Sequence, residues 1–286
     1  MGKISYYTQG DLHTRSFLSH VSDRDRIRGE YYEVVRNDKG RITSAKHYGP
    51  GNDLIEKSSY TYSRKGMITR HHLTEYFHHG PPRNSRKWIY KNGRVVEQEE
   101  MWFTRSRALE KKLIIHYDVN GQPYLEETLG LADKIESSTE YYYDYYKRLD
   151  KSQRNFFYPD GGTRDYWLTV YNDDIQIISE EHYLPDNSLI AFYRYAYHPV
   201  HGYREHEEIL EEDRDVFISR RFDEYGLLLE EKHSDRELKL IKRLVYEYND
   251  KNQPKLVHHY NSDNKKAKTS RYKEPKYLET YRTPGL

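Results

Sequence analysis

The sequence feature that most constrains the fold is a turn signature that returns along the whole chain. An aromatic residue is followed four positions later by a turn residue and then, two positions on, by an apolar residue, as in Tyr62, Gly66 and Ile68. The turn residues, which serve as anchors of the pattern, are Gly10, Gly40, Gly66, Gly93, Gly121, Lys147, Asp174, Gly202, Gly226, Asn252 and Lys276. Their spacing averages about 27 residues, and a period of this size indicates tandem repeats.

The anchor segments have the composition of β-hairpin turns. Residues 37–40, 118–121 and 249–252 each start with Asn or Asp and end with Gly or Asn. This order predicts a type I turn followed by a left-handed residue and a bulge. The dipeptide Asn92-Gly93 fits the tighter two-residue turn.

A second set of turn residues lies about half a period after the first. It comprises the segments 49–52, 80–82, 159–162, 185–187 and 261–264, all rich in Gly, Pro, Asn and Asp. Two turns per repeat leave two strands of about 8–10 residues each. The alternation of Tyr193, Tyr195 and Tyr197 fits a strand with these rings on one face.

The predicted fold class is all-β, with tandem antiparallel β-hairpin repeats. We expect one array over residues 1–286, with about ten units and a truncated C-terminal unit. The units form either an extended twisted meander sheet, partly single-layer, or a spiralling β-wrap around a narrow aromatic interior. In a single layer, cross-strand aromatic ladders would replace a buried core. The period is too short for a propeller, and the strands carry too many charges for a membrane barrel.

Composition agrees with half-exposed sheet surfaces. Only 35% of the residues are hydrophobic, yet 31 are tyrosine, a residue that suits pleated surfaces open to water on one side. The absence of cysteine excludes disulfides, thiolate metal sites and thiol nucleophiles. Because no secretory signal or transmembrane segment is evident, we expect a cytoplasmic protein, or a secreted or surface-attached one if the N-terminus was trimmed.

Charge is unevenly distributed although the net charge is only +1. Residues 1–100 carry +6, residues 101–250 carry −11 and residues 251–286 carry +6. A general nucleic-acid binder should be basic throughout, so that function is disfavoured. Segregated charge favours self-association or a charged protein partner, whereas an ordinary solvated surface with random drift is the simpler interpretation.

The signature resembles the YD-repeat class of Rhs-type proteins and the hairpin repeats of MORN and YwqK-like proteins. Tyr117-Asp118 before Gly121 is the best single match to the YD form. Lys147 and Asp174 depart from the pattern at the glycine position. The resemblance implies a β-hairpin scaffold, in some members a shell around a toxin or a platform for partners. It implies no catalytic residues.

Histidines and carboxylates are abundant but form no recognisable catalytic or cofactor motif. The pairs His71-His72, His78-His79 and His258-His259 would point to opposite faces of a strand, so one pair should not chelate a metal. The alternative is a weak metal site around the turn at Gly80, formed across strands by His71 or His72 with His78 or His79. Glu207-Glu208 is expected in a solvated turn. We therefore expect no enzymatic activity, no cofactor and no metal.

Aromatic residues supply the candidate binding surface, because Tyr and Trp offer large contact areas at little entropic cost. Packing that only shields the sheet is the simpler interpretation of the same rings. The candidates are Trp88, Trp102, Tyr141, Tyr143, Tyr145, Trp167, Tyr193, Tyr195, Tyr197, Tyr246 and Tyr248. The predicted function is a non-enzymatic scaffold that binds protein or self-assembles. The alternatives are glycan or cell-envelope binding through tyrosine-rich faces, and a shell-like component that encloses or neutralises a toxin.

Overall fold

The fold is built from short antiparallel strands joined in order by tight turns, which confirms the all-β hairpin meander. The computed structural model describes residues 2–130, 133–211 and 216–272. Within these residues the complete helical segments are single 3-10 turns at Arg24–Arg26 and Pro50–Asn52. Strands of 6 to 10 residues account for most of the rest.

The strands follow one another along the chain with few residues between them. The first eleven are β1 (Lys3–Asp11), β2 (Ser16–Val21), β3 (Tyr31–Arg36), β4 (Ile42–Tyr48), β5 (Leu54–Tyr62), β6 (Ile68–Tyr76), β7 (Pro82–Lys91), β8 (Arg94–Phe103), β9 (Leu109–Tyr117), β10 (Pro123–Leu129) and β11 (Ile135–Tyr143). The remaining ten are β12 (Leu149–Phe157), β13 (Thr163–Tyr171), β14 (Ile177–Tyr183), β15 (Leu189–Tyr197), β16 (Arg204–Glu211), β17 (Val216–Phe222), β18 (Leu228–Ser234), β19 (Leu240–Tyr248), β20 (Pro254–Tyr260) and β21 (Lys266–Arg271).

Contacts group these strands into two compact units. The first unit contains the described residues up to Tyr142 together with Gln153–Arg164. The second contains Tyr143–Ser152 together with the described residues from Asp165 onward. In the first unit β1 pairs with both β2 and β3, after which each strand from β3 to β10 pairs with the next. In the second unit the strands from β13 to β21 pair in simple succession.

Nearly all turns share one hydrogen-bonding pattern over five residues. The first residue donates its N–H to the carbonyl of the fifth, and the N–H of the fourth returns to the carbonyl of the first, as at Asn37, Gly40 and Arg41. The fourth residue usually has a positive φ, such as 74° at Gly40 and 86° at Gly121, whereas in the turn at 77–81 the positive φ lies at the third residue, His79. This geometry is the predicted type I turn with a left-handed residue and a bulge. Asn92 and Gly93 both have positive φ, which confirms the predicted two-residue turn.

Asn or Asp at the first turn position stabilises the turn with its side chain. The Asn37 Oδ1 accepts hydrogen bonds from the backbone N–H groups of Lys39 and Arg41, both at 3.0 Å. Asp118 makes the equivalent bonds to Asn120 and Gln122, at 2.8 and 2.9 Å. These bonds explain why many of the turns begin with an Asx residue.

Three of the predicted anchors need comment. The left-handed residue near Asp174 is Ile175, with a φ of 61°, so the anchor was placed one position too early. Gly10 lies inside β1, and the turn that follows has its positive φ at Arg15. A Cβ on Gly10 would lie 2.5 Å from the Phe17 ring, so this glycine serves close packing and not chain reversal. The anchor Lys276 lies outside the described residues.

The aromatic residue of the signature ends the strand at both kinds of turn, not at one only. Tyr48, Tyr62 and Tyr76 close three successive strands and are evenly spaced in the sequence. Each of them pairs with the first residue of the next strand across a shifted register, for example Tyr62 with Ile68. The smallest repeating element is therefore one strand and one turn, and the period predicted from the anchors contains two such elements.

Several of the strand-ending tyrosines bind the backbone of the preceding strand. The hydroxyl of Tyr62 donates to the carbonyl of Ile42 at 2.6 Å. Tyr197 and Tyr248 donate to the carbonyls of Ile177 and Leu228, both at 2.8 Å. In each case the acceptor is the first residue of the neighbouring strand, at the same separation in sequence. We call this contact the tyrosine tie.

A small apolar cluster in the first unit adds buried contacts to the strand pairing. Its members are Leu12, Val34, Ile42, Ala45, Tyr60 and Leu73. The tip of the β1–β2 hairpin covers the cluster, because Leu12 is only 1% exposed and its carbonyl accepts a 2.5 Å bond from the Tyr60 hydroxyl. Aromatic ladders therefore do not replace a core in this part of the molecule, contrary to expectation. Cross-strand stacks of the predicted kind exist as well, such as Tyr31 on Tyr48 at 4.8 Å.

Removal of the hydroxyl in a tyrosine tie should destabilise the fold without disturbing ring packing. We expect Tyr62→Phe, Tyr197→Phe and Tyr248→Phe each to lower the free energy of unfolding by about 1 kcal/mol, because each leaves a carbonyl without its donor. Urea unfolding followed by far-UV circular dichroism measures the effect. Tyr145→Phe is the control, since Tyr145 is 93% exposed. Equal losses in the control and the tie variants would contradict this role.

The left-handed turn position allows two substitutions that should change stability in opposite directions. Ile175 is β-branched, 56% exposed and held at positive φ, so Ile175→Gly should stabilise the chain by about 1 kcal/mol. Gly121→Ile, which places the same side chain at an equivalent turn, should destabilise it by a similar amount. Thermal unfolding of both variants tests the expectation. Destabilisation by Ile175→Gly would show that the Ile175 side chain makes a contribution that outweighs the backbone strain.

Candidate binding pocket

A concave pocket of 390 Å³ opens in the first unit beside the apolar cluster. Four structural elements meet there: the β1–β2 turn, the end of β5, the start of β6 and the end of β7. The lining residues are His13, Arg15, Tyr60, Tyr62, Gly66, Met67, Ile68, His71, Tyr90 and Gly93. The pocket therefore has aromatic walls, two turn glycines and a cationic side.

The floor of the pocket includes two rings, Tyr60 and His71, that belong to a stack of three rings on adjacent strands. Strand pairing places Tyr60 opposite His71 and His71 opposite Trp88. The ring centroids are 4.6 Å apart in the first pair and 4.7 Å in the second, and the planes are inclined by only 15° and 19°. Trp88 also donates its indole N–H to the Gln98 Oε1 at 3.0 Å. The stack is thus fixed from both ends.

His71 is the most strongly perturbed histidine among the described residues. Burial, assisted by the nearby positive charges of His13 and Arg15, lowers the pKa of His71 to about 4. Its Nε2 lies 2.6 Å from the hydroxyl of Ser58. A hydrogen-bonded Ser–His pair is the arrangement of a nucleophile and its base. Ser58, however, is 0% exposed, so its hydroxyl has no open path to a substrate and the pair serves the fold.

Tyr60 likewise has a structural role. Burial raises the pKa of its hydroxyl to about 12, which keeps the group neutral. The hydroxyl donates to Leu12, as described above, and the Arg15 guanidinium lies 5.9 Å from the ring centre. The polar groups of the floor are therefore engaged in internal hydrogen bonds, while Arg15 beside them is exposed.

The sheet edge beside the pocket is rich in cations, of which Arg15 lines the pocket itself. The turns at 37–41, 63–67 and 92–93 belong to alternate hairpins and so lie along one edge of the sheet. Their cations, with Arg15, are Lys39, Arg41, Arg64, Lys65, Lys91 and Arg94; all are exposed or half-exposed. We call this group the basic rim. Asp11 and Asp38 are the exposed acids in the same turns, so cations predominate.

The predicted surface residues of the first unit do not form one patch. Trp88 is half-buried and stacks on His71, which lines the pocket. Trp102 is half-buried and has the Lys111 ammonium 5.5 Å from its ring. Tyr141 donates to Glu126 at 3.3 Å. The pocket residues Tyr62 and Tyr90 were missed, although the strand-end position of Tyr62 was visible in the signature.

The predicted residues of the second unit are also dispersed. Trp167 and Tyr193 do meet, with ring centres 6.1 Å apart, and His182 stacks on Trp167 at 4.5 Å. Tyr195 donates to Glu180 and lies 4.3 Å from the Arg204 guanidinium.

The other tyrosines predicted for this unit have separate surroundings. Tyr197 and Tyr248 form tyrosine ties, and Tyr246 contacts Tyr272 edge-on at 6.3 Å. Tyr143 ends β11, so Tyr145 falls in the following turn and not in a strand.

Glu207 was expected in a solvated turn but lies in β16, where its side chain is buried. Arg220 joins it to Glu231, with distances of 3.2 and 2.8 Å. Burial opposes ionisation of Glu231, but hydrogen bonds from His233 and Arg220 outweigh it and lower its pKa to about 2. This internal ionic network accounts for part of the acidic middle segment without forming an open site.

The fold gives the histidine pairs different surroundings from those expected. His71 and His72 bind Ser58 and Ser85, at 2.6 and 2.7 Å, so neither contributes to a site around Gly80. His78 and His79 lie in a turn and not in a strand, and both imidazoles face Asp53. The rule that adjacent side chains diverge therefore does not apply to this pair. Asp53, His78 and His79 are the one group within the described residues with the spacing of a metal site.

Comparison with known proteins assigns no family. No protein-family model and no curated protein matches the sequence. The crystal structure of TcdB2-TccC3 aligns with 85% of this chain at 12% identity and a TM-score of 0.33, and the chain spans 15% of the length of that protein. A porin-like protein from Bacteroides uniformis ATCC 8492 aligns over 90% of this chain and 88% of its own, at 8% identity and a TM-score of 0.28. Similarity this weak defines neither fold family nor function.

Within the described ranges, the structure contains no helix with the length and apolar character needed to cross a membrane.

Burial of His71 should make stability depend on pH. The folded state holds the pKa of His71 near 4, below the value of 6.5 that an unfolded chain has. The unfolded chain therefore takes up the proton first, and the free energy of unfolding should fall as the pH drops from 6.5 to 4. His71→Gln should remove up to about 3 kcal/mol of this decrease. Urea titrations at both pH values measure it, and an unchanged pH profile in the variant would contradict the prediction.

Proposed function

We propose that the chain is a non-enzymatic repeat scaffold and that its first unit binds an acidic protein segment at the pocket. The observation that carries the proposal is the contrast between buried, hydrogen-bonded groups in the pocket and exposed cations beside it. Ser58, Tyr60 and His71, which could perform chemistry, are held in internal hydrogen bonds, whereas most cations of the basic rim are exposed, among them Arg15, Lys39, Arg64, Lys65 and Lys91. Such a site favours recognition of a negative partner over catalysis.

The aromatic walls add apolar contact area to the charge attraction. Tyr90, Met67 and Ile68 line the pocket beside the ring stack. An aromatic or aliphatic side chain flanked by carboxylates would place its apolar part on these walls and its charges against the rim. A protein segment with alternating acidic and aromatic residues has this character.

The turn chemistry supports a place in the YD-repeat class. The structure gives Tyr117-Asp118, Tyr171-Asn172 and Phe222-Asp223 one role, in which the aromatic ends a strand and the Asx residue begins the turn. Tyr117-Asp118 has the YD sequence, and the other two dipeptides differ from it by one residue each. A role as a shell around a toxin, binding of glycans, and a cytoplasmic location stay predictions.

Binding of a defined acidic peptide tests the proposed function. A fluorescein-labelled peptide with one tyrosine between runs of glutamate should bind the full chain, and the double variant Arg15→Glu/Lys91→Glu should weaken binding at least about tenfold. The matched control, Arg105→Glu/Arg107→Glu, changes charge equally at a turn on the other edge of the same sheet and should bind as the natural chain does. Fluorescence anisotropy in low salt measures both.

Two further probes separate the alternatives. Replacement of every glutamate in the peptide by glutamine should abolish binding. A uronate oligosaccharide that binds the pocket more tightly than the acidic peptide would refute protein recognition in favour of glycan binding. Equal affinity of the natural chain and the rim variant for the acidic peptide would refute the pocket as its site.

A further inference from the structure

Two neighbouring turns on the edge opposite the pocket bring three potential metal ligands together. The β4–β5 turn ends at Asp53, and the β6–β7 turn contains His78 and His79. The ligand atoms of these three side chains all lie within 4.8 Å of one another. The histidines lie 25 and 26 positions after Asp53 in the sequence, so their proximity to it is a consequence of the repeat.

The geometry directs both imidazoles to the same carboxylate. His78 Nδ1 lies 2.5 Å from Asp53 Oδ2, and His79 Nδ1 lies 3.1 Å from Asp53 Oδ1. The two rings are 4.1 Å apart and inclined by 40°. The positive φ of His79, 46°, turns its side chain toward the same side as that of His78.

The carboxylate is fixed, whereas the imidazoles are open to solvent. The Asp53 side chain is 9% exposed and accepts the backbone N–H of His79 at 2.9 Å. The side chains of His78 and His79 are 75% and 64% exposed. A buried anchor with two accessible nitrogen ligands can admit an ion from solvent and leaves room for water as a further ligand.

The donor set selects the class of ion. Two imidazole nitrogens and one carboxylate suit zinc, copper, nickel and iron, whereas calcium and magnesium prefer oxygen ligands. We propose that Asp53, His78 and His79 bind one divalent transition-metal ion of the zinc class. The bound ion joins the β4–β5 turn to the β6–β7 turn and stabilises this edge of the sheet, independently of any ligand at the pocket.

Calorimetric titration of the full chain with zinc chloride tests the site. One saturable site is expected, and magnesium chloride should give no binding. His78→Gln and His79→Gln should each weaken zinc binding at least about tenfold. Loss of a residue that only hydrogen-bonds to a metal ligand already lowers metal affinity by about that factor. His20→Gln, which removes another exposed histidine of the same unit, should leave zinc affinity unchanged.

Copper supplies a structural readout on the same variants. Electron paramagnetic resonance of the copper-loaded chain should show coupling to two imidazole nitrogens, reduced to one in His78→Gln. Far-UV circular dichroism of His78→Gln and His79→Gln tests whether both variants fold. Asp53→Asn, which removes the anionic ligand, is a further check on the same site. Unchanged zinc affinity in both histidine variants would refute the site. An equal loss in His20→Gln, which would indicate general binding to surface histidines, would also refute it.

Discussion

The hydrogen-bonded five-residue turn with its left-handed fourth position is the constraint on which the rest of the structure depends. It reverses the chain within a few residues and inserts a bulge that sets the register of the two strands beside it, as between Tyr62 and Ile68. Once register is set, the strand-ending Tyr62, Tyr197 and Tyr248 each face the first carbonyl of the preceding strand, and the tyrosine tie forms without a deep apolar interior. Local backbone geometry and tyrosine hydroxyls thus supplement the small buried cluster in holding the strands together.

The same regularity builds both candidate sites. Because alternate turns lie along one edge of a meander, residues one full period apart become neighbours. Arg41 rests on Gly66 in this way, and the Gln176 amide donates to the Gly202 carbonyl at 3.0 Å. On one edge of the first unit the repeated turn positions carry cations, and two of these turns contribute Gly66, Met67 and Gly93 to the pocket. On the other edge they carry Asp53, His78 and His79. The chemistry of each edge is determined by which side chains occupy equivalent turn positions.

The fold class and most turns could be predicted from the sequence because glycine and Asx residues have few alternatives at a left-handed turn position. Ile175 was missed for the complementary reason, since a β-branched residue tolerates that conformation only when its neighbours impose it. The pocket could not be predicted, because it depends on Leu12 and Arg15 closing over Tyr60 from a hairpin far away in the sequence. The histidine pair was misjudged because a turn was taken for a strand, and the tyrosines chosen as a surface were largely those already engaged in hydrogen bonds.

Amide hydrogen exchange along the chain tests most directly whether turn-set strand pairing holds the molecule together. Strand amides and the N–H groups of the left-handed turn residues should be protected in both units, with protection interrupted once at each turn between successive strands. Exchange measured by mass spectrometry on overlapping peptides resolves this pattern. Protection confined to the strands around Leu12, Val34 and Leu73, with rapid exchange from β13 onward, would contradict the account, because it would show that only the buried cluster sustains the fold.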